Sequence, residues 1–279
     1  MTSDYSSSMT VSPAAIHATA IIGADARLGE RVEVGPYAII AGGAVLGEGT
    51  VIGSHAVIGP DVVLGRDNRV GVGVVLGGTP QHRDYGGERT KVIIGDRNVF
   101  GEYTTVNRAY GEGESTIIGN DNFIMSYVHV AHNCRIGDNV VLVTGVGLGG
   151  HVFIDDLANV GGQATVHQFA RIGRLAMVGG TSALRQDVPP FVLAAGWPAR
   201  AFALNTVGLV RAVVPPVHRA ALKRAFVILY RSGLSVSRAL ARLEAEWGTD
   251  PFVAELIAFI RSGSHKRGIV RWNRDRSSA

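Results

Sequence analysis

Residues 16–46 read IHATAIIGADARLGERVEVGPYAIIAGGAVL, with an isoleucine, leucine or valine at 16, 22, 28, 34, 40 and 46. The beat continues through 52, 58, 64, 70 and 76, and glycine follows nine of these eleven residues. It returns at Ile94, Phe100 and Val106, then runs from Ile118 to Leu184 without a miss. A helix needs an apolar stripe of period 3.6 and a half-buried strand one of period 2, so a period of six fits neither. It is the mark of a parallel β-helix, in which each hexad is a short strand plus a turn.

Three hexads close one triangular coil, so residues 18 apart stack in columns on coils about 4.8 Å apart. No coil buries its own face; stability comes from stacking, and the ends need caps. The glycine after each inward apolar residue is expected to supply backbone freedom at the corner. The chain divides into a flexible extension over 1–13, the coil over 14–190, and a helical domain with a basic tail over 191–279. Two polar stretches interrupt the coil, TPQHRDYGGERT at 79–90 and YGEGES at 110–115. They read as loops near 78–91 and 108–116, and loops on a rigid scaffold are where binding residues gather. Beyond Leu184 the prolines of QDVPPF and GWPAR forbid another regular coil. Pro215 and Pro216 can open a helix that Gly233 stops, and Ser235 and Asp250 can cap two more.

Glycine accounts for 37 of 279 residues, roughly twice the usual share of about 7%, as a stacked coil requires. Cys134 is the sole cysteine, which excludes an internal disulfide and suits a reducing compartment. The polar start lacks the apolar core of a secretory leader, and no apolar run approaches the roughly 18 residues that span a membrane. The expected location is the cytoplasm. Net charge is +4, and the C-terminal end carries His265, Lys266, Arg267, Arg271, Arg274 and Arg276 against Asp275. That tail is either a solvated end or a landing site for an acidic partner; no motif pairs it with nucleic acid.

The histidines concentrate in the last third of the coil, at 129, 132, 151 and 167. Adding 18 to His132 reaches Gly150, beside His151; adding 36 reaches Gln168, beside His167. These groups therefore share one edge of three consecutive coils, at spacings of about 5–7 Å set by the strands. An imidazole there can take a proton from a hydroxyl and return it, and a glycine N–H or an amide can donate to an oxyanion. The same imidazoles at 129, 132 and 151 could instead hold zinc.

The segments HVAHNC (129–134), GGHVFIDD (149–156), VHQF (166–169), RIGRLAMVGG (171–180), QDVPPF (186–191) and NTVGLVR (205–211) resemble the UDP-N-acetylglucosamine 3-O-acyltransferase family. The resemblance covers roughly residues 14–271. It implies a mainly β protein, a left-handed parallel β-helix of hexapeptide repeats with a C-terminal α-helical domain, assembled as a homotrimer with sites between subunits. It implies transfer of a 3-hydroxyacyl chain from acyl carrier protein to a sugar 3-hydroxyl, the first step of lipid A synthesis. No cofactor is implied beyond the phosphopantetheine of the carrier, and no metal. His132 matches the general base and Gly150 the oxyanion donor. His129, His151, His167, Gln168 and Gln81 match substrate-binding positions, Asn205 and Arg211 match nucleotide-binding positions, and Gly180 matches the gauge of acyl length. The basic tail then gains a client, because acyl carrier protein is acidic.

Five departures bear on substrate. Asn133 stands where many members have aspartate, and QHRDY at 81–85 replaces QDLKY. Asn107 replaces a histidine, while Val207 and Ala212 replace a glutamate and an arginine. These changes leave open an acceptor with a 3-amine in place of the 3-hydroxyl. Two other classes fit the lattice: a zinc hydratase of the gamma carbonic anhydrase type, and a non-catalytic UDP-sugar-binding scaffold.

Overall fold

A computed structural model of the chain describes residues 16–263 and 267–273. The extension expected over 1–13 lies outside the described residues, as does most of the basic tail; of its cations, Arg267 and Arg271 are described.

The hexads wind into a left-handed coil with three faces. The first face carries nine parallel strands from Ile21–Ile22 to Ala183–Leu184, the second eight from Arg27–Leu28 to Arg171–Ile172, and the third ten, starting at Glu33–Val34. Each two-residue strand points its first side chain outward and its second inward. Ile40, Ile58, Leu76 and Leu142 are accordingly buried completely. Residues pair with those 18 further on, as in Ile21 with Ile39 and Arg135 with Phe153. Leu64 pairs instead with Ile94, and Ile94 with Ile118, because the two interruptions add 12 and 6 residues to their coils. Both are multiples of six, so the inward beat resumes in phase.

The corners explain the sequence period better than the glycines do. A left-handed backbone recurs every six residues from Tyr127 to Thr181, including Asn133 (φ 59°), His151 (φ 59°) and Phe169 (φ 64°). The glycine that follows an inward residue is not this corner residue, and among these glycines Gly77 alone has a positive φ (84°). A Cβ on Gly149 would stand 2.7 Å from the backbone N of Gln168 on the next coil. Glycine is thus demanded by the close approach of the next coil, which corrects the expectation that it supplies conformational freedom. Inside the prism, Asn98 Nδ2 donates to Asn68 Oδ1 at 3.0 Å and Asn122 Nδ2 to Asn98 Oδ1 at 2.9 Å. This buried amide ladder satisfies its own polar atoms.

Both interruptions leave the coil at one corner. The loop over 79–90 joins Val75–Gly78 on the first face to Lys91–Ile94 on the second, and the loop over 108–114 joins Thr105–Asn107 to Ser115–Ile118. His132 lies between His129–Val130 and Arg135–Ile136, on the same corner one coil later. Asn107 Nδ2 ties the two excursions together by donating to Thr79 O at 2.7 Å.

Past Leu184, Val188 still bridges to Ile172. Residues 192–204, expected to begin the helical domain, instead form a hairpin of Val192–Gly196 and Ala199–Leu204 that extends the third face. Four helices come after it: α1 Thr206–Arg211, α2 Pro216–Arg231, α3 Val236–Trp247 and α4 Pro251–Arg261. Pro216 opens α2, Ser235 Oγ accepts from Arg238 N, and Asp250 accepts from the N–H groups of Phe252 and Val253. These helices bury a second apolar cluster, with Leu222, Leu243 and Leu256 packed near Phe191 and Leu175. Charged groups lock it to the coil. Arg171 Nε donates to Asp187 at 2.8 Å and its Nη2 to Phe259 O at 2.7 Å, while Arg174 forks onto Glu255. Among the described residues no helix is long and apolar enough to cross a membrane.

Candidate active site

His132 is 7% exposed, which for an imidazole means a ring held by its surroundings. The hold comes from three sides. Below it, a Cβ on Gly150 would lie 2.6 Å from Nε2, so the ring can rest there only because residue 150 has no side chain. To one side, Nδ1 is 2.9 Å from Asn133 Oδ1. To the other, the His82 and His151 rings meet it edge-on, with centroids at 5.2 and 5.3 Å. His151 in turn stacks on Phe169 at 4.6 Å, its neighbour one coil on in the left-handed column. Among the described residues the Gly150 N–H has no acceptor, whereas Gly150 O accepts from Phe169 N at 3.0 Å.

Asn133 continues the network into a loop. Its Oδ1 accepts from Tyr110 N at 2.8 Å and its Nδ2 donates to Tyr110 O at 3.0 Å. The Tyr110 ring stacks on His82 at 3.8 Å. Beside this stack lies a hollow of about 490 Å³ into which Gln81, His129, His132, Gly150, His167 and Gln168 all face. Six of the ten candidate residues thus meet at one place. His151 packs against His132 without lining the hollow.

The remaining three lie elsewhere. Gly180 sits on the corner between the third and first faces, across the first face from His132. A Cβ there would lie 3.2 Å from the backbone oxygen of Gly162, a tight contact, so a larger residue needs a small shift of that backbone. Asn205 has both ends of its carboxamide in use: Oδ1 accepts from Gly208 N at 3.0 Å and Nδ2 donates to Leu175 O at 2.9 Å. It is the N-cap of α1, a helix too short to read from sequence, and α1 presents Arg211, exposed, in its last turn. His82 and Tyr110 are the residues that sequence reasoning passed over. Their available signal was an aromatic ring in each of two loops that leave the same corner.

Electrostatics separate the imidazoles. Burial, then the neighbouring His132, pushes the His129 pKa down, and its Nδ1 contacts Thr105 Oγ1 at 2.8 Å. Burial likewise lowers His151, with His132 and His82 adding to it and Glu114 opposing. Cys134, close beneath the corner, is buried and its thiol is pushed up to about 12 by desolvation, which leaves it inert as a nucleophile. Among the described residues no three His, Cys, Asp or Glu side chains converge as a metal cage. A larger hollow of about 790 Å³ lies between the hairpin and the end of α2, walled by Trp197, Tyr230 and Trp272. Among the described residues that line it there is no histidine, carboxylate or thiol to act as a general base. The smaller hollow has one: an imidazole with one nitrogen engaged, beside a backbone N–H without an acceptor among the described residues, can serve acyl transfer.

Comparison with known proteins agrees. A family profile described as "Udp N-acetylglucosamine O-acyltransferase; Domain 2" matches residues 187–270, and one described as "Bacterial transferase hexapeptide (six repeats)" matches 43–78 and 115–150. A Paraburkholderia phymatum protein named acyl-[acyl-carrier-protein]–UDP-N-acetylglucosamine O-acyltransferase is 49% identical over 261 residues, covering 92% of this chain and 99% of its own. The chain belongs to the UDP-N-acetylglucosamine O-acyltransferase family. A protein of the same name from a Janthinobacterium species is 46% identical with the same coverage. Among solved structures, the UDP-N-acetylglucosamine acyltransferase of Francisella novicida superposes with a TM-score of 0.89 at 33% identity, covering 92% of this chain and 94% of that one. The Acinetobacter baumannii member gives 0.88 at 34%, covering 91% and 99%.

Proposed function

We propose that this acyltransferase moves a 3-hydroxyacyl chain from the phosphopantetheine thioester of acyl carrier protein to the 3-hydroxyl of a UDP-N-acetylglucosamine-type sugar. The observation that carries this reading is His132 lying across Gly150 with Nδ1 engaged and Nε2 beside the hollow. Nε2 takes the proton of the sugar hydroxyl as its oxygen attacks the thioester carbon. The oxygen that becomes negative is met by the Gly150 N–H. Collapse breaks the carbon–sulfur bond, and the leaving thiolate takes back the proton from the His132 imidazolium. Gln81, His129, His167 and Gln168 supply polar contacts to the sugar and diphosphate, and His151 buttresses the base.

Asn205 then acts through the helix it caps, setting Arg211 to meet a nucleotide phosphate rather than touching it. The proposed assembly is a homotrimer. Ile21 and Ile39 point outward from the first face at 62% and 39% exposure, and Tyr37, Tyr103 and Tyr127 line its edge. A second copy laid on that face would cover them and close the hollow, and the acyl chain would run across the face toward Gly180. Outward Gly147 and Thr165 leave it shallow enough to do so. The cytoplasm is the proposed location, where the carrier and nucleotide sugar meet.

The test is mass spectrometry of products from a panel of acyl carrier protein thioesters with UDP-N-acetylglucosamine and its 3-amino analogue. A 3-O-acyl product supports the reading; acylation of the 3-amino analogue alone moves the acceptor to nitrogen. No acylated product from any pair rejects it.

A further inference from the structure

The residue next to the proposed base is an amide, and its hydrogen bonds fix more than one ring. A carboxamide can be placed with oxygen and nitrogen exchanged, but here the Tyr110 peptide decides. Tyr110 N–H can only donate, so the atom 2.8 Å from it is Oδ1; Tyr110 C=O can only accept, so the atom 3.0 Å from it is Nδ2. The same Oδ1 lies 2.9 Å from His132 Nδ1, and an oxygen acceptor requires a proton there. The neutral imidazole therefore carries its lone pair on Nε2, the nitrogen over Gly150. Asn133 itself is held: its backbone is left-handed at φ 59° and its N–H donates to Thr116 Oγ1 at 2.9 Å.

The grip on Tyr110 has a second consequence. With its peptide pinned, the Tyr110 ring stacks on His82 at 3.8 Å, and His82 is bonded directly to Gln81 at the mouth of the hollow. We propose that Asn133 is a positioning residue that couples the base to both excursion loops, selecting the Nε2 tautomer of His132 and, through Tyr110 and His82, setting Gln81 at the sugar site. Here the Nε2 tautomer means the one whose lone pair is on Nε2. An amide can do both tasks because it accepts and donates. Aspartate would keep the acceptor for Nδ1–H and for Tyr110 N–H but place an oxygen against Tyr110 O, and the loop would lose one of its two bonds to residue 133.

This proposal rests on the acyltransferase reading for its kinetics, and its structural half stands without turnover. Full-length wild type, Asn133→Ala, Asn133→Asp and Tyr110→Ala are compared for kcat and sugar KM. The imidazole nitrogens of 15N-histidine-labelled protein are read by NMR, with His132→Gln assigning the signal. Wild type is expected to show Nδ1 protonated and Nε2 unprotonated. Asn133→Ala mixes the tautomers and lowers kcat about 10²-fold, in the range of general-base effects. Asn133→Asp keeps the lone pair on Nε2 and raises sugar KM about fivefold or more while kcat falls less, an estimate of the cost of one lost neutral hydrogen bond. Tyr110→Ala, which keeps the peptide but removes the stacked ring, raises KM more than it lowers kcat. A wild-type His132 protonated on Nε2 overturns the proposal, as does Asn133→Ala with kcat within twofold, or Asn133→Asp with KM unchanged. If wild type turns over no substrate, the acyltransferase reading fails while the tautomer readout still decides the structural half.

Discussion

Coils built from residues 16–76 and coils built from 94–184 share one lattice, yet only the second carries a candidate site. In the early coils the corner between first and second faces reads Gly42–Gly43 and Pro60–Asp61; in the later ones it reads His132–Asn133, Gly150–His151 and Gln168–Phe169. The backbone is the same in both: Asp61 is left-handed at φ 55° as Asn133 is at 59°. Chemistry on this fold is therefore a matter of which side chains occupy one column and of what stands beside it. The two loops supply the latter. They leave the same corner immediately before His132 and bring His82 and Tyr110 against it, which the early coils have no means to do.

The comparison can be broken at the core first. Ile40→Ala and Leu148→Ala both hollow the prism at completely buried positions, and each is expected to cost about 3 kcal/mol, as large-to-small core changes do. Denaturant midpoints should fall for both. Activity per folded molecule should survive Ile40→Ala and drop with Leu148→Ala, whose neighbours line the hollow. Equal activity losses would mean that the two regions are not separable.

Glycine offers a closer pairing, because Gly42 and Gly150 occupy one column. A Cβ at Gly150 meets the His132 ring, wedged by Asn133 and two other rings. A Cβ at Gly42 meets only the carboxylate end of Asp25, which can swing away. Gly150→Ala should lower kcat about 10²-fold while leaving the N–H in place, the size expected from displacing a base. Gly42→Ala should leave kcat within twofold. Steady-state rates on both variants check this.

The smallest effect concerns acid. His129 is depressed below its ordinary value by burial, so as pH falls through about 6.5 the unfolded chain takes up a proton before the folded one does. The stability this ring contributes is complete above that range and lost on acidification. His129→Gln should flatten the decline in melting temperature between about pH 7 and 5 relative to wild type. An unchanged slope would show that the site's imidazoles do not carry the acid sensitivity.

Much of this was legible in the residues alone. The period of six announces the coil because every inward residue must be apolar in a prism with no other core, and the arithmetic of 18 placed His132, Gly150 and Gln168 on one corner since no loop lies between them. The glycines misled for a physical reason: a sequence does not distinguish a residue that needs positive φ from one that needs room for the chain above it. The hairpin over 192–204 was hidden because proline and glycine mark an end to the coil without specifying the structure that takes over. Asn205 reads as a nucleotide-binding residue; its capping of α1 and its bond to Leu175 O are duties that only the fold shows. His82 and Tyr110 carried only the signal of an aromatic ring in each loop, because their contact depends on how two irregular loops fold back, which no period encodes. Asn133 read as a loss, the absence of a carboxylate; beside Tyr110 it is a residue with two duties.

The most direct measurement is the single-turnover rate of acyl transfer from acyl carrier protein to UDP-N-acetylglucosamine by His132→Ala, made on protein shown by circular dichroism and sedimentation to fold and assemble as wild type does. A fall of about 10³-fold, within the span of general-base removal, is the predicted result. A rate within threefold of wild type would mean that the imidazole over Gly150 is not the group that takes the proton.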